Sequence, residues 1–387
     1  MKSRICEMLG IEFPLVAFTH CRDVVVEVSK AGGFGVLGVS GMPADQLEIE
    51  LSWIDDHIDG MPYGVDVLIP NAMLTRDSQP KPEEVLAMVP QEHKDLANQV
   101  LEEHDVDTSD LTDEKRREHL RFGDNLRPEG AKGVVEVAFR HPIKLIANAL
   151  GVPPDWLVAM GKEHDVKVAA LVGAKQHAIA QCKAGVDVLV VSGTEGGGHC
   201  GQVSSMVLIP EVHRAVQEHG DVPILAAGGI MTGSQMAAAM AMGAEGAWTG
   251  SVWLPTIESE ASEVMKEKFV AANSSDTVRS RGRTGKHARQ LRSPWTDAWE
   301  RDDTPDPLPM PLQTLVSEPA LCKVRAQAEI GHEGAKEVET YYVGQGVGLV
   351  EQVQSARNVV YGFKEDFVKA SARLNGFLEE DAGPVRR

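Results

Sequence analysis

A glycine-rich segment with one histidine is the part of this sequence best suited to chemistry. It runs SGTEGGGHCG from Ser192 to Gly201 and directly follows an apolar run. Three successive glycines remove side chains, so a flat ring system could approach the backbone. The titratable groups left there are Glu195, His199 and Cys200. A histidine presented in this way can act as a base, an acid or a hydrogen-bond donor, and we take His199 as the candidate catalytic residue.

Two further glycine-containing loops have the composition of a phosphate site. They are AAGGIMTG, Ala226 to Gly233, and WTGS, Trp248 to Ser251, and each follows a predicted strand. Backbone N–H groups can converge on a dianion, helped by the N-terminus of a following helix. The N–H groups that we expect to do so belong to Gly228, Gly229, Gly250 and Ser251. The alternative is that these glycines only make turns, which would explain either loop alone better than both together.

Short apolar runs alternate with amphipathic stretches, the pattern of repeated βα units around a parallel sheet. The predicted strands are Phe13–Phe18, Phe34–Leu37, Tyr63–Leu68, Val134–Phe139, Val166–Leu171, Val186–Val191, Val222–Ala227 and Gly246–Thr249. Three of these strands begin within similar sequences, in each of which a helix is predicted to end at a glycine. The sequences are KAGGFGVLG, KAGVDVLVVSG and MGAEGAWTG. The sequence therefore predicts a (β/α)₈ TIM barrel, and the candidate loops follow the sixth, seventh and eighth strands, where such barrels carry their active sites and bind phosphate.

Two segments lie outside the regular repeat. A connection at about residues 72–132 is longer than a barrel needs, and within it Pro82–Val106 is predicted to be helical. It is interpreted as a solvated excursion or, alternatively, as a lid. We expect residues 1–258 to form the barrel, and residues 259–387 to form a helical extension that packs back on it, chiefly through Val350–Phe377.

Bulk composition excludes several classes of protein. Thirty-eight Lys and Arg against 57 Asp and Glu give a formal charge of −19, which would repel nucleic acid or an anionic membrane. Five scattered cysteines show no CxxC spacing, so neither a disulfide framework nor a metal site is predicted. The absence of a signal peptide or a long apolar run favours a cytoplasmic protein with a small-molecule substrate, and a homodimer is compatible with the sequence.

The run Gly185–Gly201 (GVDVLVVSGTEGGGHCG), followed by AAGGI and GAWTGS, resembles the nitronate monooxygenase or 2-nitropropane dioxygenase family of FMN-dependent barrels. The same pattern is shared with flavin-dependent enoyl thioester reductases and NAD(P)H:quinone reductases. The resemblance covers about Cys6–Pro70 and Ile143–Phe363. It implies a TIM barrel that holds FMN, with His199 facing the reactive edge of the flavin.

The resemblance also implies roles for residues outside the phosphate loops. Gly197 and Gly198 would lie against the cofactor, Lys175 could reach it from the loop after the fifth strand, and Gln345, in YYVGQGVG, belongs to a segment that closes over the flavin. For Lys175 a solvated surface position is the alternative.

The sequence departs from the family pattern at two places. Phe18, Thr19 and His20 stand where relatives carry Gly-Pro-Met or Ala-Pro-Met, so His20 is a candidate substrate-binding residue. Asp66 stands where an asparagine is usual, and we expect it near the cofactor. An acid there would disfavour an anionic nitronate unless it is protonated or paired. Each side chain could instead turn away from the site.

An arginine-rich segment, DTVRSRGRTGKHARQLR at Asp276–Arg292, is interpreted as a solvated loop or, alternatively, as a cradle for the phosphates of NAD(P)H or coenzyme A. Its basic residues are Arg279, Arg281, Arg283, Lys286, Arg289 and Arg292.

Three functions remain open from the sequence. The first is an FMN-dependent monooxygenase that oxidises alkyl nitronates with O₂. The second is a reductase in which NADH or NADPH reduces the flavin for an enoyl thioester or a quinone. The third is an idle flavoprotein whose insertion is an interaction surface, which loss of His199 or of the glycines would have favoured.

Overall fold

The structure is a computed structural model that describes residues 1–69, 82–118 and 128–380. Eight parallel strands close into a barrel, with the last strand paired to the first, so the predicted TIM barrel is confirmed. The barrel strands are β1 (Leu15–Thr19), β2 (Phe34–Gly38), β3 (Tyr63–Val67), β4 (Leu145–Asn148), β5 (Lys167–Val172), β6 (Val188–Ser192), β8 (Ile224–Ala227) and β9 (Gly246–Thr249). A separate antiparallel sheet contains β7 (Gly198–His199), β10 (Thr277–Ser280) and β11 (Ala288–Leu291).

Helices cover the barrel and continue beyond it. They are α1 (Arg4–Leu9), α2 (Arg22–Lys30), α3 (Ala44–His57), α4 (Pro82–Ala87), α5 (Gln91–Glu102), α6 (Asp113–Glu118), α7 (Pro128–Ala138), α8 (Asp155–Glu163), α9 (Lys175–Ala184), α10 (Ser205–Gln217), α11 (Gly233–Ala241), α12 (Glu263–Ala271), α13 (Pro294–Ala298), α14 (Leu312–Glu329), α15 (Glu333–Val338) and α16 (Ala356–Glu380). Among the described residues, no helix is both long and apolar enough to cross a membrane.

Side chains alternate in direction along the barrel strands. One set fills the inside of the barrel, and the other packs against the surrounding helices. Tyr63, Val65 and Val67 of β3 pack outward against the helices. Phe34, Leu225 and Trp248 belong to the cluster that fills the barrel. Because successive strand residues point to opposite faces, Gly64 and Asp66 of β3 point inward.

The predicted fourth strand is wrong. Val134–Phe139 lies in and just beyond α7, and the fourth strand is Leu145–Asn148. The VVEVAF text is rich in β-branched residues, but the apolar positions Ala131, Val134, Val135 and Ala138 also follow helical spacing. All four are buried, and α7 packs against α3 and β3 as a barrel helix does.

The other predicted strands are present, with ends shifted by up to two residues. The helix-to-strand joints also form as expected. Gly185 adopts φ 81° after α9, a left-handed conformation that suits glycine, and its N–H bonds the helix carbonyls before β6 begins.

In the long connection at about residues 72–132, helices α4, α5 and α6 pack against α14 of the C-terminal extension and are not simply surrounded by solvent. Residues of α5, including Leu96, Ala97 and Val100, share a second apolar core with α14 and with Trp295 and Trp299. The interpretation as a solvated excursion is therefore wrong for α5. The parts at residues 70–81 and 119–127 lie outside the described residues.

The last helix returns to the barrel. Helix α16 packs on α11 and α2, and Val360 and Phe363 are buried there. The two helices touch closely at Gly233, where an added Cβ would lie 2.0 Å from the carbonyl oxygen of Phe363. Only a glycine fits at the start of α11.

Candidate active site

His199 lies at the carboxyl end of the barrel, on a short strand held by the extension. Its strand β7 pairs with β11, with His199 opposite Ala288 and Gly198 opposite Arg289. The ring Nε2 lies 2.8 Å from Oγ1 of Thr284, and the residue as a whole is exposed. The pairing therefore orients the histidine over the open end of the barrel.

The surroundings of His199 favour its neutral form. Desolvation by the neighbouring protein, and then the Lys286 ammonium, lower the pKa of His199 below the ordinary histidine value. The ring centroid of Tyr342 lies 6.5 Å away. Burial raises the pKa of Tyr342 to about 12, so this phenol stays protonated. The site thus offers a neutral imidazole at physiological pH.

Glu195 joins the histidine loop to its neighbours. Its carboxylate accepts hydrogen bonds from the backbone N–H and hydroxyl of Ser205 at 2.9–3.1 Å, at the N-terminus of α10. The same hydroxyl lies 3.1 Å from the Gly228 carbonyl oxygen. The loop that carries His199 is therefore bound to the loop predicted to hold phosphate.

The two phosphate-loop candidates lie side by side after β8 and β9. Gly228 and Gly229 have φ values of 97° and 72°, a left-handed backbone that turns the chain sharply. The side chain of Gln235 braces this turn, since it accepts from the N–H of Met231 and donates to the Gly229 carbonyl. Helix α11 then begins at Gly233, and the N–H of Ser234 in its first turn donates to the Asp366 carboxylate at 2.7 Å. The phosphate role of the glycine turn stays a prediction.

Gly344 and Gln345 cross over both loops. The N–H of Gln345 donates to the Glu195 carbonyl at 2.9 Å, and that of Gly344 donates to Oγ of Ser251 at 2.9 Å. A Cβ on Gly197 would lie 2.8 Å from the Gly344 nitrogen, so these backbones pack directly. Gly198 has φ 72° and open space around its Cβ position. Gly250, beside Ser251, lies just before the short 3₁₀ turn at Ser251–Trp253.

His20 follows β1, which pairs with β9, and Asp66 lies on β3, further around the barrel mouth. Asp66 is 2% exposed, and its Oδ2 has no hydrogen-bond partner among the described residues. Burial raises the pKa of this carboxyl well above its ordinary value. His20 is exposed, and its Nδ1 lies 2.8 Å from the carbonyl oxygen of Gly38, which is in register with Asp66. Phe18 stacks on Trp248 inside the barrel.

Lys175 lies apart from these groups. It is the first residue of α9, not a loop residue, and its ammonium lies 3.5 Å from Glu211 of α10, with both side chains more than 40% exposed. The structure gives it the contact of a surface lysine.

The arginine-rich segment is a hairpin, so its interpretation as a solvated loop is wrong. Arg283 is buried, bonds Glu318 at 2.8 Å and lies 4.4 Å from the ring centroid of Tyr342. Arg289 is also buried and donates to the Thr194 carbonyl. Arg281 donates to the carbonyls of Gly285 and Pro307. These guanidinium groups hold the hairpin to the barrel loops and to α14.

Thr284 and Tyr342 are the site residues that sequence reasoning missed. Both belong to the extension, and Thr284 is 85 positions from the histidine it contacts. The basic residues around Thr284 indicated a charged loop or a phosphate site instead of a contact with His199. Strands β10 and β11 have only four residues each, so the local sequence predicts them weakly. The pairing of β11 with β7 joins residues that are far apart in the sequence, so no local sequence pattern predicts it.

Comparison with known proteins agrees with this geometry. The family model for nitronate monooxygenase matches residues 2–366. The chain is 49% identical to a Mycobacterium tuberculosis protein named a putative monooxygenase, over 98% of this chain and all of that protein. It is 28% identical to a probable nitronate monooxygenase of Staphylococcus saprophyticus, over 92% of this chain and 95% of that one.

A solved structure of similar fold is nitroalkane oxidase from Streptomyces ansochromogenes. It has a TM-score of 0.77 at 22% identity, over 96% of this chain and 99% of that chain. The family match spans the barrel, the hairpin and the first part of α16. The chain therefore belongs to the nitronate monooxygenase family, and it is a flavin-dependent oxidoreductase.

Proposed function

We propose that this protein binds FMN at the carboxyl end of its barrel and oxidises alkyl nitronates with O₂. The observation that carries the proposal is the meeting of a phosphate-type cradle with a neutral histidine at one barrel mouth. Family membership supports the reaction class, and the identity of the substrate is our proposal.

The residues at the mouth fit FMN. Its phosphate would be held by backbone N–H groups after β8 and β9. The Ser251 hydroxyl accepts from Gly344, so its own hydrogen is available to an anion. Within the described part of the chain the buried Oδ2 of Asp66 lacks a partner, and a polar edge of the flavin ring would satisfy it. As a protonated carboxyl, Asp66 would add no negative charge against a nitronate.

FMN, when bound, supplies the redox chemistry of the reaction. The protein's own part is to bind, orient and exchange protons. His199 would orient the nitronate. Because its imidazole is neutral, it would also take the proton from the α-carbon of a neutral nitroalkane, which leaves the nitronate and an imidazolium. Lys286 adds a positive charge near the histidine, which favours an anionic substrate.

The reductase alternative has less support from the described residues. It drew on a phosphate cradle made by the arginine-rich segment, but Arg281, Arg283 and Arg289 are bonded within the protein. Exposed His20 still offers a second polar group at the mouth. Reduction by a nicotinamide is therefore the competing outcome of the test.

The test begins with the purified yellow protein and the identity of its released flavin. The protein is then mixed without oxygen with propyl-2-nitronate, NADH and NADPH in turn while flavin absorbance is followed. Bleaching by the nitronate, with recovery on adding O₂, is the expected result. Bleaching by a nicotinamide alone would assign the protein to the reductases, and a protein that binds no FMN would contradict the proposal altogether.

A further inference from the structure

We propose that Thr284 is a positioning residue that holds the Nε2 edge of His199 and leaves Nδ1 as the nitrogen presented to the substrate. The inference rests on the proposed role of His199, and it adds which ring nitrogen exchanges the proton and which residue selects it.

Burial distinguishes the two edges of the ring. Nε2 lies 2.8 Å from the Thr284 hydroxyl, and Thr284 is only 6% exposed. The histidine itself is exposed at the barrel mouth, and Nδ1 has no hydrogen-bond partner among the described residues. The Nδ1 edge is therefore the one open to a ligand.

The partners of the hydroxyl indicate which way its hydrogen points. Oγ1 of Thr284 lies 3.3 Å from the Lys286 carbonyl oxygen, which can only accept, and 3.4 Å from the Lys286 N–H, which can only donate. A hydroxyl has one hydrogen and two acceptor positions. With its hydrogen given to the carbonyl, Oγ1 accepts from Lys286 N–H and from Nε2–H of His199. All three positions are then satisfied.

This arrangement selects one tautomer of the neutral imidazole. A proton held on Nε2 leaves the lone pair on Nδ1, and a hydrogen bond to one ring nitrogen is what fixes the state of the other. The lone pair on Nδ1 can then accept the α-proton of a neutral nitroalkane, which leaves the nitronate anion and an imidazolium that still donates through Nε2.

The backbone that carries Thr284 is anchored firmly enough for this task. The preceding residue, Arg283, bonds Glu318, and its carbonyl accepts from the Ser317 hydroxyl at 2.5 Å, both on α14. After the turn, β11 pairs directly with the strand that contains His199. Both partners of the 2.8 Å contact are thus fixed to the same hairpin.

The groups that set the charge around His199 come from three elements. Lys286 lies on the hairpin, Tyr342 faces the ring from the segment before Gly344, and Cys200 follows it in the chain. Arg283 lies over Tyr342 and is paired with Glu318. Any change in the pH profile must therefore be judged against variants that leave these groups intact.

The test reads the tautomer directly in the FMN-loaded, full-length protein labelled with ¹⁵N-histidine. Two-bond ¹H–¹⁵N spectra at a pH above the titration of His199 distinguish a proton on Nε2 from one on Nδ1, and the His199→Gln spectrum assigns the signals. We expect the Nε2–H form to predominate. A proton found on Nδ1 would overturn the inference.

Variants of the hydroxyl complete the test. Thr284→Val should populate the other tautomer, reduce kcat/KM by on the order of ten- to a hundredfold, and move the histidine limb of the pH profile to lower pH, because the imidazolium loses an acceptor. Thr284→Ser should restore all three. Thr314→Val is the matched control, because the Thr314 hydroxyl is buried on α14 and has no partner in the ranges that the structure describes. An unchanged tautomer and pH profile in Thr284→Val would contradict the inference.

The two proposals fail separately. The tautomer is measured without turnover. A protein that is inactive on nitronates but carries the proton on Nε2 of His199 would contradict the proposed substrate and would still support the role of Thr284. If Thr284→Val does not fold, the wild-type and Thr284→Ser spectra still decide.

Discussion

A cation, a phenol and a hydroxyl surround His199 at the barrel mouth. Thr284 contacts the ring, Tyr342 lies beside it, and the Lys286 ammonium is close enough to lower the pKa of His199. The site keeps the imidazole neutral and adds positive charge near it, a combination suited to a base that converts a neutral substrate into an anion.

The first prediction concerns Lys286→Gln. Removing the ammonium should raise the pKa of His199, because the cation disfavours the imidazolium. If neutral His199 is required, kcat/KM rises with pH through this pKa, so the acidic limb should move to higher pH. Initial rates with 2-nitropropane, whose α-proton the histidine must remove, measure the limb between pH 5 and 9.

Added salt should move the wild-type limb in the same direction by screening the cation, and it should move the Lys286→Gln limb less. The matched control is Lys183→Gln, the same charge change in the last turn of α9, at the opposite end of the barrel. Equal limbs in wild type and Lys286→Gln would show that the lysine does not act on the histidine.

The second prediction concerns the stability of the apoprotein at Asp66. Above the ordinary aspartate pKa of about 3.9, the unfolded chain releases the proton that the buried carboxyl keeps. The wild type therefore loses stability as pH rises through that value, until the pH reaches the raised pKa.

Asp66→Asn does not titrate, so its free energy of unfolding should exceed that of the wild type increasingly with pH in this window, by about 1–3 kcal/mol near neutral pH. Urea unfolding between pH 4 and 8 measures the difference. A difference that does not depend on pH would mean that Asp66 is ionised in the folded protein.

At the scale of elements, the hairpin of β10 and β11 connects the two cores. It pairs with the histidine strand on one side and is fixed to α14 by Arg283 on the other. The attraction of the Glu318 carboxylate raises the pKa of Arg283 against the opposing effect of burial. A buried pair of this kind is costly to break from one side, because the remaining charge stays buried.

The third prediction follows from this pair. Arg283→Met should lower the free energy of unfolding by about 3–5 kcal/mol, and the Arg283→Met, Glu318→Leu double variant should recover part of the loss. Urea denaturation measures both. Losses that simply add in the double variant would mean that the two side chains act independently.

Elements with a local signal could be predicted from the sequence, and those that depend on distant partners could not. The buried strands β2 and β6 are short apolar runs that follow a helix-capping glycine, so their position could be predicted. The sequence Val134–Phe139 fits the apolar patterns of both a strand and a helix. It forms a helix because its apolar face packs against α3. The hairpin of β10 and β11 becomes part of the site only by pairing with β7, so its role could not be predicted from the sequence.

At the scale of the whole molecule, the site is assembled from both cores. The barrel provides the glycine loops and His199, and the extension provides Thr284, Tyr342 and Gly344. The loops that carry the cofactor chemistry could be predicted, because their glycines and histidine are adjacent in the chain. The wall contributed by the extension could not, because it forms through contacts such as that of α5 with α14, which join segments about 200 residues apart.

The most direct test of the central claim is the rate of flavin reduction in the absence of O₂ by 2-nitropropane and by its anion propyl-2-nitronate, measured by stopped flow on FMN-loaded wild type and His199→Ala. We expect the nitronate to bleach the wild-type flavin, and His199→Ala to retain FMN but to be reduced by 2-nitropropane slower by a factor on the order of 10² or more, because the nitroalkane must first lose its α-proton to the histidine. Lys183→Gln should behave as the wild type. A wild-type flavin that the nitronate leaves oxidised, or a His199→Ala variant that is reduced at the wild-type rate, would contradict the account.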